Sequence, residues 1–236
     1  MILHTEVFGD GEPIVFLHTG LQTGMTDFEY QREYFKEKYK VILPDLRGHG
    51  KSGEKDLSNF FEDSAEDIAT TLSHLGIESA HIVGCSLGAL VGLFLGKRFP
   101  HKLKSLVLSG ILPERPSNWS ELHRKDVERQ SEILQSEELS RHFDNLHKTN
   151  WRHSLEIVKD ENWYPFEETK DLEGIAAPVL YIVGEEKDME TKGVLLYPSL
   201  QDNVHVSIIP FASHLVHLEQ PQIYTQILEE FLVNVK

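Results

Sequence analysis

The chain has 236 residues, 40% of them hydrophobic and 26% charged, with a single cysteine. Its 23 Lys and Arg against 38 Asp and Glu leave a net charge of −15, which argues against nucleic acid and anionic membranes as partners. A chain of this length buries roughly 70% of the surface its unfolded form exposes, so it needs no disulfide staples, and Cys85 alone could not supply one. The cysteine count fits a reducing, cytoplasmic setting. The opening Met1-Ile2-Leu3-His4-Thr5-Glu6 lacks the basic start and apolar run of a signal peptide, so none is expected. The longest mostly apolar run, residues 83–96, is too short to span a bilayer and reads as core.

In chain order, β-branched or aliphatic runs at 2–8, 14–17, 41–43, 81–83, 105–108, 179–183 and 204–209 predict strands. Most are continuous rather than alternating, as strands covered by helices on both faces are. Helical patterns at 28–38, 64–75, 88–98 and 223–233 lie between or after them. This alternation predicts an α/β fold: a mostly parallel sheet of about seven strands, right-handed crossovers, and helices on both faces. One stretch breaks the rhythm. Residues 114–171 hold 9 Lys and Arg and 14 Asp and Glu, with apolar Ile133, Leu134, Leu139, Phe143 and Leu146 at helical spacing. They predict a helical insertion that divides an α/β core of residues 1–113 and 172–236.

The sharpest motif is Gly84-Cys85-Ser86-Leu87-Gly88, which follows one expected strand and precedes an apolar helix. A serine on a sharp strand-to-helix turn occupies a strained backbone geometry, and its neighbours must be small. The helix start then places the Leu87 N–H, at the positive end of the dipole, where an oxyanion would develop. A plain Gly-Ser-Gly turn is the bland alternative, and the strand-turn-helix context weighs against it. A serine hydroxyl is a weak nucleophile without a base and an orienting acid. Of 13 histidines, His214 stands out, because it sits in a loop just after the last expected strand. Such a loop at the C-terminal edge of a parallel sheet is where a base would face Ser86. His214-x-x-His217 could also be read as a metal pair, but no carboxylate or cysteine cluster accompanies it, so no metal site is expected. The loop after strand 179–183 supplies the acid: Asp188 is the first choice and Glu186 the reserve. Cys85 beside the serine reads as core packing rather than as a nucleophile.

Ser86, Asp188 and His214 fall in the chain order nucleophile, acid, base, and here the sequence resembles the α/β-hydrolase superfamily, in its short serine-esterase-like branch with a helical cap. The resemblance covers nearly the whole chain. Leu17-His18-Thr19-Gly20 resembles the family's loop after its third strand, which implies a second oxyanion donor on the main chain of Gly20 or Leu21. Residues 44–52, Pro-Asp-Leu-Arg-Gly-His-Gly-Lys-Ser, resemble the family's structural D-x-R-G-x-G-x-S turn, and residues 213–221 resemble its histidine loop. The insertion falls where the family places its cap.

The resemblance implies hydrolysis of a small carboxylic ester, or a similar acyl bond, through an acyl-enzyme and without a cofactor. The substrate expected is small and neutral or apolar, while monomer and homo-oligomer stay equally open. Trp119, His123, Trp151, Trp163 and Tyr164 are candidates to line the pocket, with packing of the cap against itself as the alternative. Other readings of the same triad are a C–C bond hydrolase, a lactonase or a thioesterase. A different class altogether is a small-ligand receptor that retains the triad. Gly50-Lys51-Ser52 and Gly9-Asp10-Gly11 each lack a glycine that phosphate-binding or dinucleotide loops require, so neither implies a nucleotide.

Overall fold

A computed structural model describes residues 1–54 and 56–235. Among the described residues, seven strands form one sheet: β1 (Thr5–Phe8), β2 (Glu12–Leu17), β3 (Tyr39–Pro44), β4 (Ala80–Cys85), β5 (Leu103–Ser109), β6 (Val179–Gly184) and β7 (Val204–Ile209). Their order is β1-β3-β2-β4-β5-β6-β7, and every pairing is parallel except β1 with β3. The expected seven-stranded, mostly parallel sheet is therefore what forms. The central β4 and β6 are buried along their whole length, which explains their continuous apolar runs.

Helices α1 (Glu29–Phe35), α2 (Phe60–His74) and α3 (Leu87–Arg98) follow β2, β3 and β4. Between β5 and β6 the chain forms only helices: α4 (Trp119–Gln135), α5 (Glu137–Leu146), α6 (Arg152–Ile157) and α7 (Phe166–Thr169). Helices α8 (Asp188–Thr191) and α9 (Gly193–Leu200) join β6 to β7, and α10 (Val216–Glu219) and α11 (Pro221–Asn234) end the chain. The sequence reading missed α8 and α9. Pro198 inside α9 speaks against a helix, and α8 is a single turn too short for any periodicity to register.

Two apolar layers sandwich the sheet. One gathers α2 and α3 against Val15, Ile82, Leu106 and Tyr181, and the other gathers α1 and α11 against Phe16, Val83, Val107 and Ile182. A smaller cluster of Phe143, Trp151 and Leu155 sits within the insertion, with Leu21, Ile133, Leu134 and Leu146 packed on it. Leu21 belongs to the loop after β2, so the insertion rests on that loop. Among the described residues, no helix is long and apolar enough to cross a membrane.

The 44–52 turn has the architectural role its motif implies. Asp45 accepts main-chain N–H bonds from Gly24 at 3.0 Å and Lys51 at 2.8 Å, tying two loops together. Gly50, at φ +51°, leaves no room for a Cβ, which would lie 2.1 Å from the Asp45 carboxylate. Arg47 reaches back to the buried Asp67 at 2.8 Å.

Close approach also governs α3. A Cβ on Gly88 would lie 2.1 Å from the Leu17 carbonyl oxygen and 2.7 Å from that of His18. Both obstacles are backbone at the end of β2, so neither can swing aside. Gly88→Ala is expected to cost about 3 kcal/mol of stability, read as a lowered urea midpoint. An unchanged midpoint would contradict this contact.

Candidate active site

Ser86 stands between β4 and α3 with φ +53° and ψ −119°, a conformation strained for any residue with a side chain. The strain is held in place by its surroundings. The Ser86 N–H donates to the Ser109 carbonyl at 2.9 Å, and a Cβ on Gly84 would lie 2.4 Å from the Gly88 carbonyl oxygen. Only glycine at both flanking positions permits so tight a turn. Ser86 is half-buried, at the start of a twelve-residue helix. Cys85 beside it points inward and is fully buried, and burial pushes its thiol far above the usual range. Its reading as a core residue agrees with this environment.

His214 lies in the loop between β7 and α10. A Cβ on Gly110 would touch His214 Cε1 at 3.0 Å and the Ser86 nitrogen at 3.1 Å, so the imidazole and the elbow border one small space. The histidine loop is tightly fixed. Glu219 accepts the N–H of Ser213 at 2.6 Å and that of Leu215 at 2.9 Å, bracketing His214 from both sides. The Cys85 thiol lies 3.7 Å from the His214 carbonyl.

The carboxylate that faces His214 is neither of the two expected. His214 Nδ1 is 2.7 Å from Oε1 of Glu190, a residue only 4% exposed. Neither Asp188 nor Glu186 pairs with His214, and both side chains are exposed to solvent. The physical reason is α8. Residues 188–191 coil into one helical turn, where two residues amount to about 200° of rotation, so Asp188 faces outward and Glu190 inward. Tyr181 anchors this turn from β6, its hydroxyl 2.8 Å from the Glu190 carbonyl oxygen and 2.9 Å from that of Ile111. The signal that could have found Glu190 is its place two residues into a helix that the apolar pattern did not reveal.

The opposite wall is the loop after β2. The Thr19 N–H donates to Asp27 Oδ2 at 2.8 Å, which leaves the N–H groups of Gly20 and Leu21 as the loop's next donors. Gly20 is exposed, with nothing within 4 Å of where its Cβ would be, and Leu21 adopts φ +62°. The Leu87 N–H lies at the first residue of α3, and Gly88 one residue on packs directly against Leu17 and His18. The two expected donor segments are thus neighbours.

Three buried histidines support this loop. His18 accepts the Leu46 N–H on Nε2 at 2.8 Å, so Nδ1 carries the proton it donates to the Thr19 carbonyl at 2.8 Å. His147, from the insertion, accepts the Gly50 N–H on Nδ1 at 2.8 Å and donates from Nε2 to the Leu21 carbonyl at 3.1 Å. His49 lies edge-on between them, 5.2 Å from His18 and 5.7 Å from His147 between ring centres. All three bond as neutral rings. Burial lowers the pKa of His18 and of His147, and pushes His49 down to about 3. No local pattern singles out His147, because its partners lie about a hundred residues away.

Unfolded imidazoles take up a proton near pH 6.5 and the folded ones resist it, so stability is full above pH 6.5 and falls as pH drops toward 3. His49 alone is expected to cost about 2 kcal/mol at pH 5 relative to pH 7.5. Urea unfolding at the two pH values measures this, and His49→Gln is expected to flatten the dependence. A midpoint equal at both pH values would contradict the neutral cluster.

The five pocket candidates divide between the insertion's own packing and the larger core layer, where Trp119 and Tyr164 are buried and Trp163 packs. Trp151 is fully buried in the small cluster. Trp119 donates from Nε1 to the Glu161 carbonyl at 2.8 Å, His123 Nε2 lies 2.9 Å from the Val158 carbonyl, and the Tyr164 hydroxyl accepts the Leu112 N–H at 2.6 Å. Trp163 stacks on Phe61 and lines a cavity of about 580 Å³ with Leu57, Phe60 and Ile157. None of Ser86, His214 and Glu190 lines that cavity.

Comparison with known proteins agrees with this architecture. A family model described as the alpha/beta hydrolase fold matches residues 12–137. The 3-oxoadipate enol-lactonase 2 of Acinetobacter baylyi is 25% identical, over 96% of this chain and 91% of that protein. The solved structure of NosK from Streptomyces actuosus superimposes with a TM-score of 0.84 at 22% identity, over 96% of this chain and 99% of that one. A carboxylesterase structure from Nitrososphaera gargenis does so with a TM-score of 0.77 at 21% identity, over 98% and 94%. With the matched segment running from β2 through the serine elbow into the insertion, the chain belongs to the alpha/beta hydrolase fold family.

Proposed function

We propose that this protein is a serine hydrolase that cleaves a small, neutral or apolar carboxylic ester through an acyl-enzyme. The observation that carries the reading is the 2.7 Å contact between His214 Nδ1 and the buried Glu190, beside a strained serine elbow. A buried carboxylate on Nδ1 holds the proton there and leaves Nε2 free to act as the base. Ser86 Oγ attacks the acyl carbon while its proton passes to His214 Nε2. Charge collects on the carbonyl oxygen, which the N–H groups of Leu87 and of Gly20 or Leu21 receive; one such donor is worth about 3 kcal/mol in the transition state. His214 then protonates the leaving alkoxide, and water repeats the sequence in reverse to free the acid. Glu190 orients the ring and stabilises the imidazolium that forms.

Residues 114–171 act as the cap over this site. Support comes from the His147 bond to the Leu21 carbonyl and from the packing of Leu21 against the insertion's apolar cluster. The insertion's net charge, 9 positive against 14 negative side chains, disfavours strongly anionic substrates. A lactone is the second reading, favoured by the full-length similarity to an enol-lactonase. A panel of p-nitrophenyl esters of rising chain length, lactones and thioesters tests the proposal, with intact-mass detection of an acylated protein. Ester turnover with an acyl adduct on Ser86 is expected. Tight ligand binding without turnover would favour a receptor instead.

A further inference from the structure

The chain holds a fully buried carboxylate–imidazole pair that the reaction above does not use. His217 Nε2 donates to Asp27 Oδ1 at 2.6 Å, and the two side chains are 0% and 1% exposed. We propose that Asp27 and His217 form a positioning pair that holds the loop of the second oxyanion donor in register with the loop of the base. This rests on the serine-hydrolase reading.

The bonds of Asp27 point to that task. Its Oδ2 accepts the N–H of Thr19, the residue before Gly20, at 2.8 Å. Its Oδ1 takes His217, three residues beyond His214 in the same segment, and the Phe28 N–H at 3.1 Å. One carboxylate thus spans the two walls between which an oxyanion would sit. The pair is held firmly from outside. The His217 ring stacks on Phe28 at 4.0 Å, and the His217 carbonyl accepts Gln31 Nε2 at 3.0 Å. Phe28 itself adopts φ +51°, a strained conformation for a bulky residue, at the point where Asp27 is presented. Burial alone would raise the pKa of Asp27, but the bonds from His217 and Thr19 hold it down at about 2, so it stays an anion. A buried pair is a poor way to add stability, since apolar packing of equal volume does as well. Registry is the use its bonding favours. A mismatch of about 1 Å at an oxyanion donor is enough to reduce the rate substantially.

The test uses the full chain with Asp27→Asn and His217→Gln, separately and together. Asparagine keeps an acceptor for Thr19 but turns an amide toward His217, whereas glutamine loses the stacked ring. Each is expected to lower kcat on a p-nitrophenyl ester roughly 10- to 100-fold with KM within threefold. A trifluoromethyl ketone adds Ser86 Oγ to its carbonyl carbon and leaves the oxygen as an oxyanion, the proton passing to His214. Its affinity is expected to fall by the same factor as kcat/KM, which a merely architectural role would not produce. The double variant is expected to be no worse than the poorer single within threefold, because the two act as one unit. The inference is overturned by folded variants that keep kcat within threefold, by multiplicative losses in the double, or by failure of both singles to fold at 10 °C. Ser86→Ala separates the two ideas. If wild-type turnover survives it, the hydrolase reading itself fails; if turnover depends on Ser86 yet ignores both substitutions, only the positioning pair fails.

Discussion

Ser86→Ala is expected to lower ester turnover by at least about 10⁴-fold while leaving the fold intact. The large loss follows from removal of the attacking atom. Oxyanion donors and binding remain, so a residue of catalysis over water persists. The intact fold follows from what the side chain does not do. Ser86 occupies the N-cap position of α3, yet its hydroxyl makes no cap bond there, so alanine removes no helix cap. The backbone strain at φ +53° is the same for serine and alanine. Stability is therefore expected to stay within about 1 kcal/mol. Thermal melting and kcat measured on one preparation check both halves. Wild-type turnover in the alanine variant would remove Ser86 as nucleophile and, with it, the proposed mechanism.

Glu190→Gln is expected to lower kcat by about 10³- to 10⁴-fold, whereas Asp188→Asn stays within twofold of wild type. Glutamine matches the shape of glutamate, so the packing around α8 and Tyr181 persists. What changes is the field and the proton. A neutral amide no longer stabilises the imidazolium, and its NH2 can turn toward Nδ1, moving the ring proton to Nε2, where it blocks the base. Asp188 is exposed to solvent, and water screens its charge from the ring. Melting of the Glu190 variant is expected to stay near wild type, because exchanging a buried carboxylate for an amide also removes a desolvation cost. Equal losses in the two variants would restore Asp188 as a contributor. A larger loss in Glu186→Gln than in Glu190→Gln would overturn the pairing seen at His214.

Of these residues, Ser86 is written in local sequence and Glu190 is not. The elbow was legible because every requirement on it is local: a strand before, a helix after, and glycines where no Cβ fits. The histidine loop was legible for a similar reason, since it follows directly on the last strand. Position along the chain also pointed to the segment between β6 and β7, where the carboxylate facing His214 lies. It did not identify the residue, because counting along a loop assumes that no element intervenes.

The apolar patterning of the sequence by itself determined the strands, the principal helices and the helical stretch between β5 and β6, while local motifs singled out Ser86 and His214 as candidates. Each of these is recorded in residues within one turn or one strand of one another, where propensity and period act. Tertiary structure alone decided which carboxylate faces His214, because one turn of helix rotates Glu190 inward and Asp188 out. It alone decided that His147 reaches Leu21 across 126 positions and that His217 reaches Asp27 across 190. Such polar pairs form only after packing has excluded water and brought distant loops together, and no local pattern records that event.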